Sequence, residues 1–209
     1  MTLAQLEQAF AAQNGARVPC VRGDADLNPG MHPNPATPPD MLTPAAVLVP
    51  VLRRDDEDMV LFTVRHRRLK RHAGQISFPG GRMDPDDRDA VATALRETHE
   101  EIGLPPEAVR VLGALDCYVT RTGYRVTPVV GVIEVPPALV LCDDEVEEAF
   151  EVPLSYVLDP RNQMRETWDG DGRRGQFYAI RFGARYIWGA TAGMLVSLGQ
   201  FVRGGGWLR

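Results

Sequence analysis

The sequence predicts an α/β fold, and three features carry that prediction. Two apolar, β-rich runs stand close together at residues 45–52 (AAVLVPVL) and 59–65 (MVLFTVR), separated by the charged turn Arg53-Arg54-Asp55-Asp56-Glu57-Asp58. Short runs of this kind bounded by turn residues read as strands, and the pair as a hairpin. An amphipathic helical stretch ending at Ile102 follows, and beyond it come two further β-branched runs at 109–118 and 125–133. At 209 residues and 23.1 kDa the chain suits one such domain with a sizeable core.

Each element has a local reason. Residues 2–12 place Leu3, Leu6 and Phe10 at helical spacing behind Thr2, a capping residue. Residues 28–39 hold too many prolines for a helix or central strand and read as an extended arm, with His32 solvated within it. The chain is therefore divided at 44, with 1–44 an N-terminal helix and Pro-rich arm and 45–209 the main domain. Pro50 in the first strand marks a bulge or an edge. The runs at 109–118 and 125–133 are joined by a turn at Arg121-Thr122-Gly123, and Asp169-Gly170-Asp171-Gly172 is a hairpin tip. Residues 177–182 and 185–188 read as strands, with Trp188 in the core, and 191–201 as an apolar C-terminal helix.

Composition narrows the functional classes. A net charge of -5 argues against a general nucleic-acid binder, which carries a basic footprint. Cys20, Cys117 and Cys142 are widely spaced and odd in number, which indicates neither a disulfide framework nor a zinc site and points to a reducing, cytoplasmic setting. No run of about 18 apolar residues predicts a membrane span, and the start lacks a basic segment followed by an apolar signal core.

The chemistry concentrates in residues 75–104. Glu97, Glu100 and Glu101 stand at i, i+3 and i+4, so on a helix all three carboxylates share a face, while Val91, Ala94, Leu95, Thr98 and Ile102 form a neighbouring stripe that anchors it. Like charges at this spacing destabilise a helix by roughly 0.2–0.5 kcal/mol per pair, and a bound hard cation such as Mg²⁺, which takes carboxylate oxygens and reaches substrate phosphates, supplies a reason for them. Gly103 followed by Pro105-Pro106 is a left-handed helix stop. Upstream, Phe78-Pro79-Gly80-Gly81 reads as a strand end running into a glycine loop whose bare amides can approach a phosphate. A basic run, Arg65, Arg67, Arg68, Lys70, Arg71 and His72, precedes that loop and would put positive charge beside a pyrophosphate. Downstream lies a second acidic cluster, residues 143–148, where Asp144, Glu145 and Glu148 would share a helical face. His99 lies on the acidic helix away from the carboxylates and reads as a surface or packing residue.

Taken together, Arg96-Glu97, Glu100-Glu101 and Gly103-Leu104 behind a glycine loop resemble the signature of the Nudix hydrolases. One departure is visible: the family pattern has a glutamate eight residues before the arginine, where this chain has Arg88, and the loop after Gly81 is one residue longer, with Asp87 the nearest acid. The resemblance narrows to the coenzyme A pyrophosphatases through Leu61-Phe62-Thr63-Val64-Arg65, Leu69, His72, Gly74-Gln75 and Phe78-Pro79-Gly80-Gly81, and continues in Thr122-Gly123-Tyr124, Glu145-Val146 and Trp188-Gly189-Ala190-Thr191-Ala192. It implies a Nudix-type α/β/α sandwich with a mixed β-sheet. The activity implied is Mg²⁺- or Mn²⁺-dependent hydrolysis of the pyrophosphate bond of coenzyme A or a derivative, a small-molecule substrate, with no nucleic-acid or membrane partner. Glu97, Glu100 and Glu101 are the implied metal ligands, Arg96 the residue that orients Glu97, and Glu97 or Glu145 the base. Arg65, Arg67, Arg68, Lys70, Arg71, His72, Gly80 and Gly81 are the expected substrate contacts. Two alternatives stand beside this: a Nudix hydrolase acting on ADP-ribose or another nucleoside diphosphate derivative, and a non-catalytic nucleotide- or metal-binding regulator.

Overall fold

The computed structural model describes residues 1–12, 22–28, 37–170 and 173–204. In chain order the elements are α1 (Leu3–Ala11), β1 (Arg22–Gly23), β2 (Thr43–Leu52), β3 (Met59–Arg65), β4 (Ile76–Ser77), β5 (Gly80–Arg82), α2 (Ala90–Ile102), β6 (Arg110–Ala114), β7 (Tyr118–Val119), β8 (Tyr124–Ile133), β9 (Val146–Pro153), α3 (Leu154–Val157), β10 (Met164–Gly170), β11 (Arg173–Phe182), β12 (Arg185–Trp188) and α4 (Ala190–Val202). The class is mixed α/β, with a large β-sheet containing both parallel and antiparallel pairings. The chain divides into two compact units: Met1–Pro44 with Leu115–Val126 and Ser155–Arg209, and Ala45–Ala114 with Thr127–Leu154. No helix of the described residues is long and apolar enough to cross a membrane.

The unit built on Ala45–Ala114 and Thr127–Leu154 holds the acidic helix. Its expected hairpin forms, but β2 and β3 pair only at their near ends, Val51 with Val60 and Leu52 with Met59. Farther along, β2 pairs with β5, and β3 pairs antiparallel with β9 from Met59 to Arg65. Pro50 lies between the part of β2 that pairs with β5 and the part that pairs with β3, so its missing N–H interrupts neither ladder. Phe62 is fully buried and stacks on Phe78 and Phe150 at 5.1 and 5.7 Å between ring centres, which packs one face of β3 and β9 together.

Helix α2 starts behind Asp89, whose carboxylate accepts the Ala92 N–H at 2.8 Å, and stops at Gly103, which adopts the left-handed conformation (φ 67°) that favours glycine. The predicted stripe is the buried one. Ala94 and Ile102 join Leu48, Leu61, Val129 and Ile133 in one core, with Val91 and Leu95 packed at its edge. Full burial of a side chain such as Ile102 contributes about 1.5–3 kcal/mol.

Two expectations in this unit are corrected. Gly80 and Gly81 are not in an open loop: they form β5 and pair with Val47 and Ala46 of β2. The segment 143–148 is not a helix: it makes a turn and then enters β9 at Val146. The apolar alternation Val146, Phe150 and Val152 fits the ladder beside β3, and pairing along that central strand outweighs the helical spacing of the acids.

In the other unit, Thr2 and Gln5 form a reciprocal capping box at the start of α1. Leu3 and Leu6 are buried, and α1 packs on α4, with Phe10 and Phe201 rings 4.6 Å apart. Strands β10, β11 and β12 form an antiparallel sheet packed by α4. The expected hairpin at its start is present, Gly170 facing Arg173, although the tip residues Asp171 and Gly172, like Cys20, His32 and the middle of the proline-rich arm, lie outside the described residues. Residues before that arm are tied down: β1 pairs in parallel with β7, and Asn28 exchanges two hydrogen bonds with the backbone of Gln176. Trp188, expected in the core, is 39% exposed; it packs edge-on against Phe177 and stacks with Tyr186 on the sheet face away from the buried Ile187.

Candidate active site

The candidate site is built where α2 packs against β5 and β9. One turn of α2 presents Arg96, Glu97, Glu100 and Glu101, but the carboxylates meet different surroundings. Glu101 turns toward the sheet and is 4% exposed, whereas the Glu100 side chain is 58% exposed. Glu101 Oε2 accepts the Gly80 N–H at 3.2 Å, and its other oxygen lies 4.0 Å from Arg65 Nη1. The glycines are required by closeness as well as by conformation. Gly80 has φ 148° and lies against the β2 backbone, while a Cβ on Gly81 would collide with the Glu97 carboxylate.

Arg96 is the hub. Its Nη1 donates to Glu97 Oε1 and to Glu100 Oε2, both at 3.0 Å, and Nη2 donates to the Arg82 carbonyl at 3.2 Å. Nε and Nη2 form a fork on Asp87 at 3.0 and 2.8 Å. The longer loop is thereby explained. Arg88, at the position where the family pattern has an acid, points outward, 80% exposed beside Asp89, and Asp87, one residue earlier, pairs with Arg96. Sequence reading identified Asp87 only as the nearest acid; its spacing from the helix start was the available signal.

The electrostatics follow from this packing. Burial pushes the Glu101 carboxyl up to about 8, against the pull of the Gly80 amide and Arg65, with Glu145 and Glu97 pushing the same way as burial. Glu97 is also raised by burial, opposed by Arg96 and reinforced by Glu100 and Glu145. Asp87 is held well below the ordinary carboxylate range by its bonds from Arg96. Glu145 lies on the turn before β9, near enough to add to the upward push on both Glu97 and Glu101. Its own backbone carbonyl accepts the His66 N–H at 2.8 Å, which joins the basic loop to the acidic turn.

The basic run divides. Arg65 is at the end of β3, next to a register shift, and its Nε is buried with no hydrogen-bond partner among the described residues. Arg67, Arg68, Lys70, Arg71 and His72 are exposed, with Arg67 Nε 3.3 Å from Glu147. His72 is the one non-glycine residue with positive φ among the described residues, and its Nδ1 lies 2.8 Å from Gln75 Oε1, so it anchors the loop.

A hard divalent cation suits the donor set, which is all carboxylate and carries an excess of like charge that a cation would relieve. The oxygens are not yet gathered: among the described residues no three acidic, histidine or cysteine side chains converge on one point, and Arg96 spans Glu97 and Glu100. Glu97, Glu100 and Glu101 are the residues that would hold the ion.

The NUDIX domain family model matches residues 41–168. The chain is 42% identical over 161 residues to the uncharacterized Nudix hydrolase NudL of Escherichia coli K12, covering 74% of this chain and 80% of that protein. It is 43% identical over the same length and coverage to NudL of Citrobacter koseri. The crystal structure of a MutT/nudix family protein from Enterococcus faecalis aligns over 95% of this chain and 73% of that one, with a TM-score of 0.50 at 15% identity, a likeness of fold. With the family model spanning more than half the chain and close relatives covering about three quarters of it, the chain belongs to the Nudix hydrolase family.

Proposed function

We propose that this Nudix hydrolase cleaves the pyrophosphate bond of coenzyme A or one of its derivatives, giving phosphopantetheine and adenosine 3',5'-bisphosphate. Nudix hydrolases act on nucleoside diphosphate derivatives and generally need divalent metal ions. The observation that supports the finer reading is Arg65. Its buried Nε has no hydrogen-bond partner among the described residues, and its Nη1 lies 4.0 Å from Glu101 at the start of the basic run, which leaves a donor for an anionic substrate.

Mg²⁺ or Mn²⁺ bound by Glu97, Glu100 and Glu101 would neutralise charge on phosphate oxygens and acidify the attacking water. The chain's own residues do the rest. Gly80 N–H aims Glu101, and Arg96 fixes Glu97 and Glu100. Glu145 is exposed and held by no arginine among the described residues, which makes it a freer base than Glu97 for taking the proton of the water. Water oxygen bonds to one phosphorus, the bridging bond breaks, and no covalent enzyme intermediate forms. Arg67, Arg68, Lys70 and Arg71 would then read the ribose phosphate that distinguishes coenzyme A from dephospho-coenzyme A.

Side-by-side kinetics with coenzyme A, dephospho-coenzyme A and ADP-ribose, with and without Mg²⁺, test the reading. The expected result is the highest kcat/KM for coenzyme A, reduced selectively when the basic run is neutralised. A clear preference for ADP-ribose would retire coenzyme A as substrate. Equal losses on every substrate, mimicked by added salt, would reduce the run to general anion steering.

A further inference from the structure

We propose that Asp87 is a positioning residue of this active site: it clamps one edge of the Arg96 guanidinium so that the opposite nitrogen sets Glu97 and Glu100. The inference rests on the hydrolase reading above for its link to turnover, but its geometry stands alone. Asp87 precedes the helix cap Asp89 by two residues, and its side chain is 7% exposed although it belongs to a surface loop. Its Oδ1 accepts Arg96 Nε, and its Oδ2 accepts Arg96 Nη2 at 2.8 Å, Thr93 Oγ1 at 2.9 Å and the Asp84 N–H at 2.9 Å.

A fork of this kind fixes both the position and the plane of a guanidinium. With Nε and Nη2 committed to Asp87, Nη1 is the nitrogen left to face the helix carboxylates, and it bonds one oxygen of Glu97 and one of Glu100 at equal length. The remaining oxygen of each accepts no hydrogen bond from the arginine. Without Asp87 the same guanidinium is at liberty to turn its fork onto Glu97 or Glu100 and take both oxygens of one carboxylate. Asp87 thus keeps Arg96 as an orienting group instead of a competing cation. On the same Asp87 oxygen, the Thr93 bond ties the loop to the helix and the Asp84 bond closes the loop on itself.

The test uses the full-length chain and reads Mn²⁺ binding by electron paramagnetic resonance together with kcat and KM. Removal of a group that orients metal ligands costs 10–100-fold in affinity or activity. Asp87→Asn should therefore weaken Mn²⁺ binding and lower kcat by about that factor, while KM for substrate stays near its original value. Asp87→Glu, which retains the charge, should recover part of both losses. Thr93→Val removes the loop tie without touching Arg96, so it should lower the melting temperature and leave kcat and Mn²⁺ affinity in place. If Asp87→Asn fails to fold, Arg96→Lys decides: an ammonium cannot fork, so the same two losses are expected with Asp87 intact. Wild-type Mn²⁺ affinity and kcat in Asp87→Asn, or in Arg96→Lys should Asp87→Asn not fold, would overturn the proposal, as would Thr93→Val reproducing its losses. Should the wild-type protein not hydrolyse coenzyme A while Asp87→Asn still weakens Mn²⁺ binding, the substrate reading fails and the role of Asp87 stands.

Discussion

The carboxylates of α2 and those leading into β9 belong to the same unit and carry the same charge, yet they are held in opposite ways. On α2, Glu97 and Glu100 share the Arg96 guanidinium, and Glu101 is drawn under the helix onto the Gly80 amide. On the turn and strand at 143–148, Glu145 and Glu147 are exposed, and Glu147 pairs with the exposed Arg67. An ion pair of that kind is worth at most about 1 kcal/mol and is screened by salt. The difference teaches that charge density does not define the site. What defines it is the packing of α2 on β5, which removes water from Glu101 and forces fixed donors to replace it.

The sharpest way to break the contrast is to remove one of the inward-facing carboxylates of α2, the buried Glu101 or the half-buried Glu97. Glu101→Gln or Glu97→Gln should cut kcat by orders of magnitude, about a thousandfold or about 4 kcal/mol, with the protein still folded. Turnover near the wild-type rate at saturating Mg²⁺ would mean that the helix carboxylates are structural.

A smaller effect concerns the metal-free protein. The Glu101 carboxyl titrates at about 8 in the folded state, above its unfolded value of 4.5, so the native state binds the extra proton between those values and stability falls as pH rises from about 4.5 to about 8. Glu101→Gln should remove that slope. In chelator it should be more stable than wild type at pH 8 by about 2–3 kcal/mol, allowing for relaxation around the charge, with the gap closing below pH 5. Denaturant titrations at the two pH values measure it, and parallel curves for both proteins would contradict the burial argument.

The smallest effect sharpens the exposed side of the comparison. Glu145→Gln should lower kcat at least about tenfold, while Glu147→Gln, whose partner is the exposed Arg67, should change it less than about twofold. Equal, small effects would return the whole turn to a solvated surface.

Much of this was legible before any coordinates. The amphipathic stripe from Val91 to Ile102, the Gly103 stop and the acidic turn of α2 follow from side-chain spacing alone, because the periodicity of a helix is local. The Thr2 cap, the β2–β3 hairpin and the C-terminal helix follow in the same way. The strand that follows Glu145 is not legible in the acidic spacing of 143–148, because local spacing is silent about a neighbouring strand and the ladder along β3 overrides it. Trp188 was misplaced for a related reason: apolar character does not say which face of a sheet is covered.

By itself, then, the sequence determined which residues are chemically suited to the site and the helix that carries most of them, since both depend on residue type and on contacts within one turn. Tertiary structure alone decided that Gly80 and Gly81 are strand, that Glu101 and not Glu100 is buried, and that Asp87 and not the residue at position 88 takes Arg96. Each of these outcomes depends on pieces of chain brought together by packing: β5 against β2, α2 against β5, and the 82–87 loop folded back on Thr93 and Arg96. Burial and hydrogen-bond partners are properties of those meetings, and no periodicity within one segment encodes them.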